Sequence, residues 1–213
     1  MVKLGPDLLV DGTDSCSGYL PNGNFSGFSM MHEQGTGGAP KYGTVAQPPL
    51  IGNISSPLSS ITIGRIVPDQ GSVGYYRAQT SEQVVVELAA TSRAGGFSNA
   101  TPSTANVFKG PAAAGSVRQT PRFATSSSSI DYISGVSTFD APFVSSKVGI
   151  SWISVKKACQ NVNDQIPAGT KFSAVVQNTK TAWNTDILSK ITTTTTDASN
   201  LNLLHPSLYF INI

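Results

Sequence analysis

The chain has few charged residues, which narrows the partners that it could bind. Asp, Glu, Lys and Arg make up 12% of its 213 residues, about half of the usual share in globular proteins. The formal net charge is +2 and no basic cluster occurs, so the composition indicates no nucleic-acid partner. No apolar run reaches about 18 residues, so no membrane-spanning helix and no membrane partner are predicted.

Cysteine and histidine are equally scarce, with two of each. Cys16 and Cys159 are far apart and form no metal-binding spacing. Two separate thiols, buried or half-buried, are the preferred interpretation, and a disulfide between them is the alternative. His205 precedes Pro206 in an apolar segment and is expected to be incidental, so His32 is the histidine with a functional context.

Complete catalytic motifs are absent as well. There is no HExxH zinc motif, no Gly-x-Ser-x-Gly nucleophile elbow and no phosphate loop ending in Gly-Lys-Ser/Thr. Asp7, Asp11, Asp14 and Glu33 cluster early in the chain, but closeness in sequence does not supply the paired carboxylates of glycoside hydrolysis. We therefore interpret these acids as solvated or turn-forming, and predict neither a catalytic residue nor a metal ligand.

Glycine, serine, threonine and proline are abundant instead, which is typical of short strands joined by turns. Residues 82–91 and 147–154 alternate apolar and other side chains, as half-buried strands do. Val84, Val86 and Leu88 are expected to share one face of the first strand. In the second, Val148, Ile150 and Trp152 alternate with the opposite face, and the strand is expected to be buried on at least one face. This spacing of short strands predicts a mainly β fold, an antiparallel β-sandwich.

The pattern changes twice further along the chain. Residues 97–129 are low in complexity and poor in large apolar groups, which predicts a loop. After Gly169, apolar residues recur at three- and four-residue steps, which predicts an amphipathic helix with Thr170 as its N-cap. This helix either packs on its own domain or links to a further domain. The predicted divisions are a partial sandwich over 1–165, a linker helix over 166–191 and a tail over 192–213.

The most informative stretch runs from Gly27 to Gly38, Gly-Phe-Ser-Met-Met-His-Glu-Gln-Gly-Thr-Gly-Gly. A polar His-Glu pair followed by glycines is typical of a site, because glycine lets the backbone turn and lets a ligand approach closely. Four aromatic residues flank His32: Tyr19, Phe25, Phe28 and Tyr42. They could contact a sugar, but aromatic residues in a sandwich are more often core. Three sequons make Asn24, Asn53 and Asn99 candidate glycosylation sites if the protein is secreted.

Several segments resemble the N-terminal domain of glycoside hydrolase family 92, the exo-acting α-mannosidases, and are most similar to the fungal versions. The resemblance rests on Gly27-Phe28-Ser29, on His32-Glu33-Gln34-Gly35-Thr36-Gly37 and on three further segments, which are 1–7, 86–95 and 147–154. Together these segments extend along most of the chain. Relative to the family, the chain is expected to be truncated at both ends and shortened between Gly95 and Ser137.

The resemblance implies a β-sandwich that packs against an (α/α)6 catalytic barrel, with the site between them. It implies an inverting mechanism, a calcium ion, a mannose-containing glycan as substrate and secretion for the family. The acid, the base and the calcium ligands would lie in the barrel, so no cofactor is expected in this chain. The residues that would contact substrate are Tyr19, His32, Glu33, Gly35, Thr36 and Gly37.

The sequence therefore predicts a partial N-terminal domain of an α-mannosidase that is inactive alone, because the chain would stop where the catalytic barrel begins. Two alternatives stay open. One is a non-catalytic carbohydrate-binding module that has kept the His32 segment. The other is a non-functional gene-model fragment, whose missing strands would leave open sheet edges. The location of this chain is not assigned.

Overall fold

The computed structural model describes residues 4–10, 13–14, 20–30, 47–51, 62–100, 105–110, 135–140 and 142–211. The strands in these ranges are β1 (Leu4–Val10), β2 (Thr13–Asp14), β3 (Asn24–Met30), β4 (Pro49–Ile51), β5 (Gln70–Ser72), β6 (Tyr75–Gln79), β7 (Val85–Ala90), β8 (Ala94–Ala100), β9 (Ala105–Gly110), β10 (Gly135–Asp140) and β11 (Phe143–Gly149). The helices are α1 (Val155–Gln165), α2 (Phe172–Asp186) and α3 (Ala198–Ile211), with a 3-10 turn over Leu188–Lys190.

The described strands form three antiparallel sheets. Their strand orders are β2-β1-β3, β10-β9-β4 and β11-β8-β7-β6-β5. Pro49 begins a strand at the edge of its sheet, where a missing backbone N–H is tolerated. Strands precede the helices along the chain, which confirms the prediction of a mainly β fold followed by an amphipathic helix.

A hydrophobic core joins the β2-β1-β3 sheet to the five-stranded sheet. Fully buried side chains from β3 meet fully buried side chains from β6 and β7, and the members of this cluster are Leu8, Phe25, Phe28, Met30, Ile63, Ala78, Val84, Val86 and Leu88. Val84, Val86 and Leu88, which were predicted to share one face, are all buried in this core. Because two sheets bury their apolar faces against each other, the arrangement is that of a sandwich.

The five-stranded sheet is covered on its other face by α1 and α2. Ala89 and Ala94 form a second buried cluster with Ile166 and Val175. Gly149 lies so close to α1 that a Cβ there would overlap the Ala158 carbonyl oxygen. Small residues on this face thus let the helices approach the sheet, and β7 becomes buried on both sides.

The apolar stripe predicted after Gly169 is present on α2. Val175, Thr179 and Trp183 are its buried residues, at the four-residue spacing of one helix face. The predicted N-cap was wrong, since Lys171 holds that position and makes no side-chain cap bond. Thr170 instead donates its backbone N–H to Pro167 in the preceding turn.

The loop predicted over 97–129 was partly wrong. β8 continues to Ala100, and β9 occupies Ala105–Gly110. β8 lies between β7 and β11, and β9 lies between β4 and β10, so pairing on both sides fixes segments whose own apolar content is weak. Residues 111–129 lie outside the described residues.

The strand predicted over 147–154 ends early, at Gly149. Ser154 is the N-cap of α1 and accepts a hydrogen bond from the Lys157 backbone N–H, so the chain turns into a helix after a short connection. Trp152 was predicted on a buried face and is 86% exposed. In the sequence, the alternation of apolar residues continues beyond Gly149, where the strand ends in the structure.

The segment predicted as a tail is helical over α3, which contains Pro206. Within the described ranges, no helix is long and apolar enough to cross a membrane. The Cys159 thiol is free, as predicted for separate thiols, but the prediction that it would be buried or half-buried was wrong, because it lies on an exposed position of α1. Cys16 lies outside the described residues. The divisions at residues 165 and 191 stay predictions.

Candidate functional site

The predicted substrate contacts all lie outside the described residues. They are Tyr19, His32, Glu33, Gly35, Thr36 and Gly37. The structure does describe the residues that flank them, which are Leu20 after Tyr19, and Met30 and Gln47 on either side of the stretch that holds the other five. The structure therefore describes the candidate site through the contacts of these flanking residues.

The strand that leads to His32 is held deep in the core. Phe28, Ser29 and Met30 are fully buried at the end of β3. The Ser29 hydroxyl donates a hydrogen bond to the Asp7 carboxylate across the β1–β3 pair, at 2.7 Å between oxygens. Asp7 therefore lies within a strand and has a structural role in the sheet, so the prediction of a solvated or turn-forming acid was wrong for this residue.

Two of the four candidate aromatic residues are core residues. Phe25 and Phe28 are fully buried, and their ring centroids are 5.1 Å apart. Neither ring is available to a ligand, so direct sugar contact is excluded for both. Tyr19 and Tyr42 lie outside the described residues.

Gln47, on the far side of residues 31–46, is fastened to the same sandwich. Its backbone N–H donates to the Phe28 carbonyl oxygen at 2.9 Å. Its side-chain oxygen accepts a hydrogen bond from the Ser146 hydroxyl on β11 at 2.7 Å. The two described ends of this stretch thus meet beside β3, and a long connection with close ends on a rigid scaffold is typical of functional loops.

A polar cluster fixes the residues that follow Tyr19. Arg65 donates to the Leu20 carbonyl oxygen at 3.1 Å and to the Pro21 carbonyl oxygen. It also pairs with Asp69 at 3.1 Å, in an ion pair that is almost wholly buried. The Tyr76 hydroxyl donates to the same carboxylate at 2.5 Å. We call Arg65, Asp69 and Tyr76 the Arg65 cluster.

The guanidinium of Arg65 also lies over the Phe25 ring, 4.6 Å from its centroid, a cation–π arrangement. Sequence reasoning missed the Arg65 cluster and the Gln47–Ser146 bond. The partners are 44 and 99 residues apart, so no local pattern could bring them together. A lone arginine in a turn-rich segment offered no signal.

A second polar pair lies on the strands β6 and β7. The Tyr75 hydroxyl donates to the Glu87 carboxylate at 2.5 Å. Burial, followed by this hydrogen bond and the negative charge of Glu87, raises the pKa of Tyr75 from 10.0 to about 12. The pair joins the neighbouring strands β6 and β7 through their side chains.

The described residues include no group of three His, Cys, Asp or Glu side chains able to hold a metal ion. The described part of the chain therefore has no carboxylate-rich cluster of the kind that protein calcium sites commonly use. Of the candidate glycosylation sites, Asn24 is exposed at the start of β3. Asn99 lies in β8, an inner strand of the five-stranded sheet, and Asn53 lies outside the described residues.

Residues 1–107 match the family model described as the glycosyl hydrolase family 92 N-terminal domain. Residues 157–213 match the model described as the glycosyl hydrolase family 92 catalytic domain. The first match contains every predicted substrate contact, and the second contains the predicted linker helix and tail. No curated protein matches the chain.

Two solved structures of a family GH92 α-mannosidase from Bacteroides thetaiotaomicron resemble this fold. One superposes with a TM-score of 0.64 and 16% identity, covering 91% of this chain and 35% of the mannosidase. The other, a complex with mannoimidazole, has a TM-score of 0.61 and 17% identity, covering 91% and 34%. At this identity the likeness shows the fold. The chain spans about a third of the length of these mannosidases.

Proposed function

Because the chain belongs to glycosyl hydrolase family 92, we propose that its sandwich lends substrate contacts to a mannose site which a catalytic barrel completes. The supporting observation is the anchoring of the His32 stretch. Met30, which precedes the stretch, is buried at the end of β3. Gln47, which follows the stretch, is hydrogen-bonded to Phe28 and Ser146. Groups carried on a fixed frame can meet a sugar without a large ordering cost.

The proposed contacts are Tyr19, His32, Glu33, Gly35, Thr36 and Gly37. The Arg65 cluster would position Tyr19, because it holds the carbonyl groups of the two residues that follow Tyr19. The proposed substrate is a glycan with terminal α-linked mannose, and the crystallised mannosidase complex with mannoimidazole supports this choice.

For the complete mannosidase we propose the calcium-dependent, inverting chemistry of the family, acting outside the cell. An inverting mechanism needs an acid that protonates the leaving oxygen and a base that activates water. We propose that both groups and the calcium ligands come from the catalytic domain. The described residues offer no metal cluster, so no step is assigned to calcium here. A polypeptide of these 213 residues is then expected not to hydrolyse mannosides.

Mannose binding by the isolated chain separates this proposal from a self-sufficient sugar-binding module. Ligand pockets bury most of their ligand, so half of a pocket is expected to give no saturable heat in a calorimetric titration with mannose. Saturable binding that His32→Ala abolishes would instead favour the module. His205→Ala, at the other histidine, is the matched control.

The contact residues are tested in the presence of a catalytic domain. The probe is the part of the Bacteroides thetaiotaomicron mannosidase that this chain does not cover, prepared with a cooperative unfolding transition of its own. We expect the mixture to hydrolyse α-mannobiose in calcium, and His32→Ala to raise KM at least tenfold. Equal KM values for His32→Ala, His205→Ala and the wild type would refute the contact.

A further inference from the structure

The strongest unexplained feature is an apolar patch between β11 and α1. Trp152, Ile153 and Val155 are 86%, 82% and 77% exposed; we call these three residues the 152–155 patch. Phe143, on β11, is also more than half exposed. Scattered exposed apolar residues are ordinary, whereas three large ones within four positions form an apolar cluster of the kind found at binding surfaces.

The residues beside the patch hold it rigidly. Ile150 donates its backbone N–H to the Arg93 carbonyl oxygen at 3.2 Å and accepts from the buried Asn161 side chain at 2.8 Å. Ser154 caps α1 immediately afterwards. A surface that is fixed before binding loses little entropy on binding.

The position of the patch in the family matches indicates what covers it. The N-terminal match ends at residue 107 and the catalytic-domain match begins at residue 157, two positions after the patch. The crystallised mannosidases extend about two thirds of their length beyond the part that this chain covers. A surface at the junction of two domains is where their contact is expected.

The surroundings of the patch indicate the chemistry of the covering surface. Two exposed basic residues lie near the patch. Lys156 follows it directly in the chain, and the Arg93 carbonyl oxygen accepts a hydrogen bond from Ile150, which lies just before it. An apolar centre with a charged rim is the usual anatomy of a protein interface. The covering surface is therefore expected to be apolar at its centre, with acidic groups at its rim. A second copy of this chain would present the same basic rim and is disfavoured.

We propose that the 152–155 patch docks the remainder of a family 92 catalytic domain, with Trp152 as the central contact. This inference rests on the proposed function. The exposed tryptophan would be buried on docking, as aromatic anchors at interface centres are. Trp183, buried on α2, is an internal reference whose environment docking leaves unchanged.

The test measures, by calorimetry, binding of the full 213-residue chain to the same probe as above, the part of the Bacteroides thetaiotaomicron mannosidase that this chain does not cover, prepared with a cooperative unfolding transition of its own. We expect Trp152→Ser and Ile153→Ser each to weaken Kd at least tenfold. Ile66→Ser, which removes an apolar side chain that is 50% exposed and lies outside the residues of the catalytic-domain match, is the matched control and should leave Kd unchanged. Since the replaced side chains are exposed, the thermal unfolding midpoint should not fall in any variant.

Absence of binding by the wild type, or equal Kd values for Trp152→Ser and the wild type, would overturn the proposal. Dimerisation of the chain in analytical ultracentrifugation that Trp152→Ser abolishes would also overturn it, because the occupant would then be a second copy. The proposed function fails separately. If Trp152→Ser loses docking while His32→Ala keeps a normal KM, the docking role of the 152–155 patch is supported and the sugar contact of His32 is refuted.

Discussion

At the scale of single residues, buried polar groups set the geometry around the candidate site. Arg65 combines an ion pair with Asp69, two backbone carbonyl contacts and the face of Phe25. Removing one partner of a buried ion pair is costly because it leaves a charge in a low-dielectric environment. The arginine therefore stabilises both the core and the turn that follows Tyr19.

Arg65→Met is expected to lower the free energy of unfolding by about 3 kcal/mol. The methionine fills part of the volume but neither balances the Asp69 carboxylate nor donates to Leu20 and Pro21. Urea titration of the wild type and the variant measures the change. Arg93→Met, at an exposed arginine, is the control and should change stability by less than about 0.5 kcal/mol. Equal losses in the two variants would contradict a structural role for the Arg65 cluster.

The Tyr75–Glu87 pair makes stability depend on pH in the alkaline range. The pKa of Tyr75 is raised in the fold from 10.0 to about 12, so folding favours the protonated phenol. Its contribution is fully present below pH 10 and is lost as the pH rises towards 12. Tyr75→Phe has no titrating phenol at this position.

The stability difference between wild type and Tyr75→Phe should therefore shrink between pH 10 and 12. Comparing the variants by denaturant unfolding at each pH cancels the titration of the other tyrosines and the lysines. A difference that stays constant from pH 8 to 12 would show that the fold does not raise the pKa of Tyr75.

At the scale of elements, sequence patterns predicted what local periodicity can report. The alternation around Val86 and the four-residue spacing through Val175, Thr179 and Trp183 both correspond to buried faces in the structure. The strands β8 and β9 were missed, since pairing with distant strands rather than their own composition holds them in place. The prediction for Trp152 was wrong because the same apolar alternation runs through a strand and through the exposed connection that follows it.

The candidate site was predictable only in part, and for a similar reason. The His32 segment could be recognised as a motif because its residues are adjacent in the chain. Its supports, Gln47 with Ser146 and the Arg65 cluster, join residues that the fold brings together from distant positions. No single-sequence pattern encodes such contacts.

The contact between α2 and the β5–β6 turn can be tested with three glycines. Gly74 has φ +71°, and a Cβ there would overlap the side chain of Thr179. Gly169 has φ +79° with open space around it, and Gly71 has open space and no such φ. The three positions thus separate backbone strain from the collision with α2.

We expect Gly71→Ala to be nearly neutral, Gly169→Ala to cost about 1 kcal/mol through left-handed strain, and Gly74→Ala to cost about 1–3 kcal/mol more through overpacking. Thermal unfolding of the three variants gives the order. If Gly74→Ala and Gly169→Ala cost the same, α2 does not pack against this turn.

At the scale of the whole molecule, the two family matches meet in one packed structure. Gln165, near the start of the catalytic match, accepts from Thr91 at 2.5 Å and from the Arg93 backbone N–H at 2.9 Å. Thr179 donates to the Ala90 carbonyl oxygen at 2.7 Å. The helices α1 and α2 are therefore bound to the five-stranded sheet that the N-terminal match includes in part.

The sheet and α2 should consequently unfold together. In Trp152→Phe the only remaining tryptophan is the buried Trp183, which reports on α2 alone. We expect its fluorescence transition to coincide with the far-ultraviolet circular dichroism transition on heating. Gln165→Ala should lower both midpoints by the same amount. Separate transitions would show that the helices are an independent unit, and no cooperative transition would favour a fragment that does not fold.

The central claim is that these residues supply part of a mannose site and no catalytic acid, base or metal. The most direct measurement is hydrolysis of α-mannobiose by the purified 213-residue polypeptide in the presence of calcium. The Bacteroides thetaiotaomicron mannosidase is assayed in parallel as the positive control. We predict no turnover above the buffer background. Turnover above that background, retained through repurification of the chain, would contradict the account.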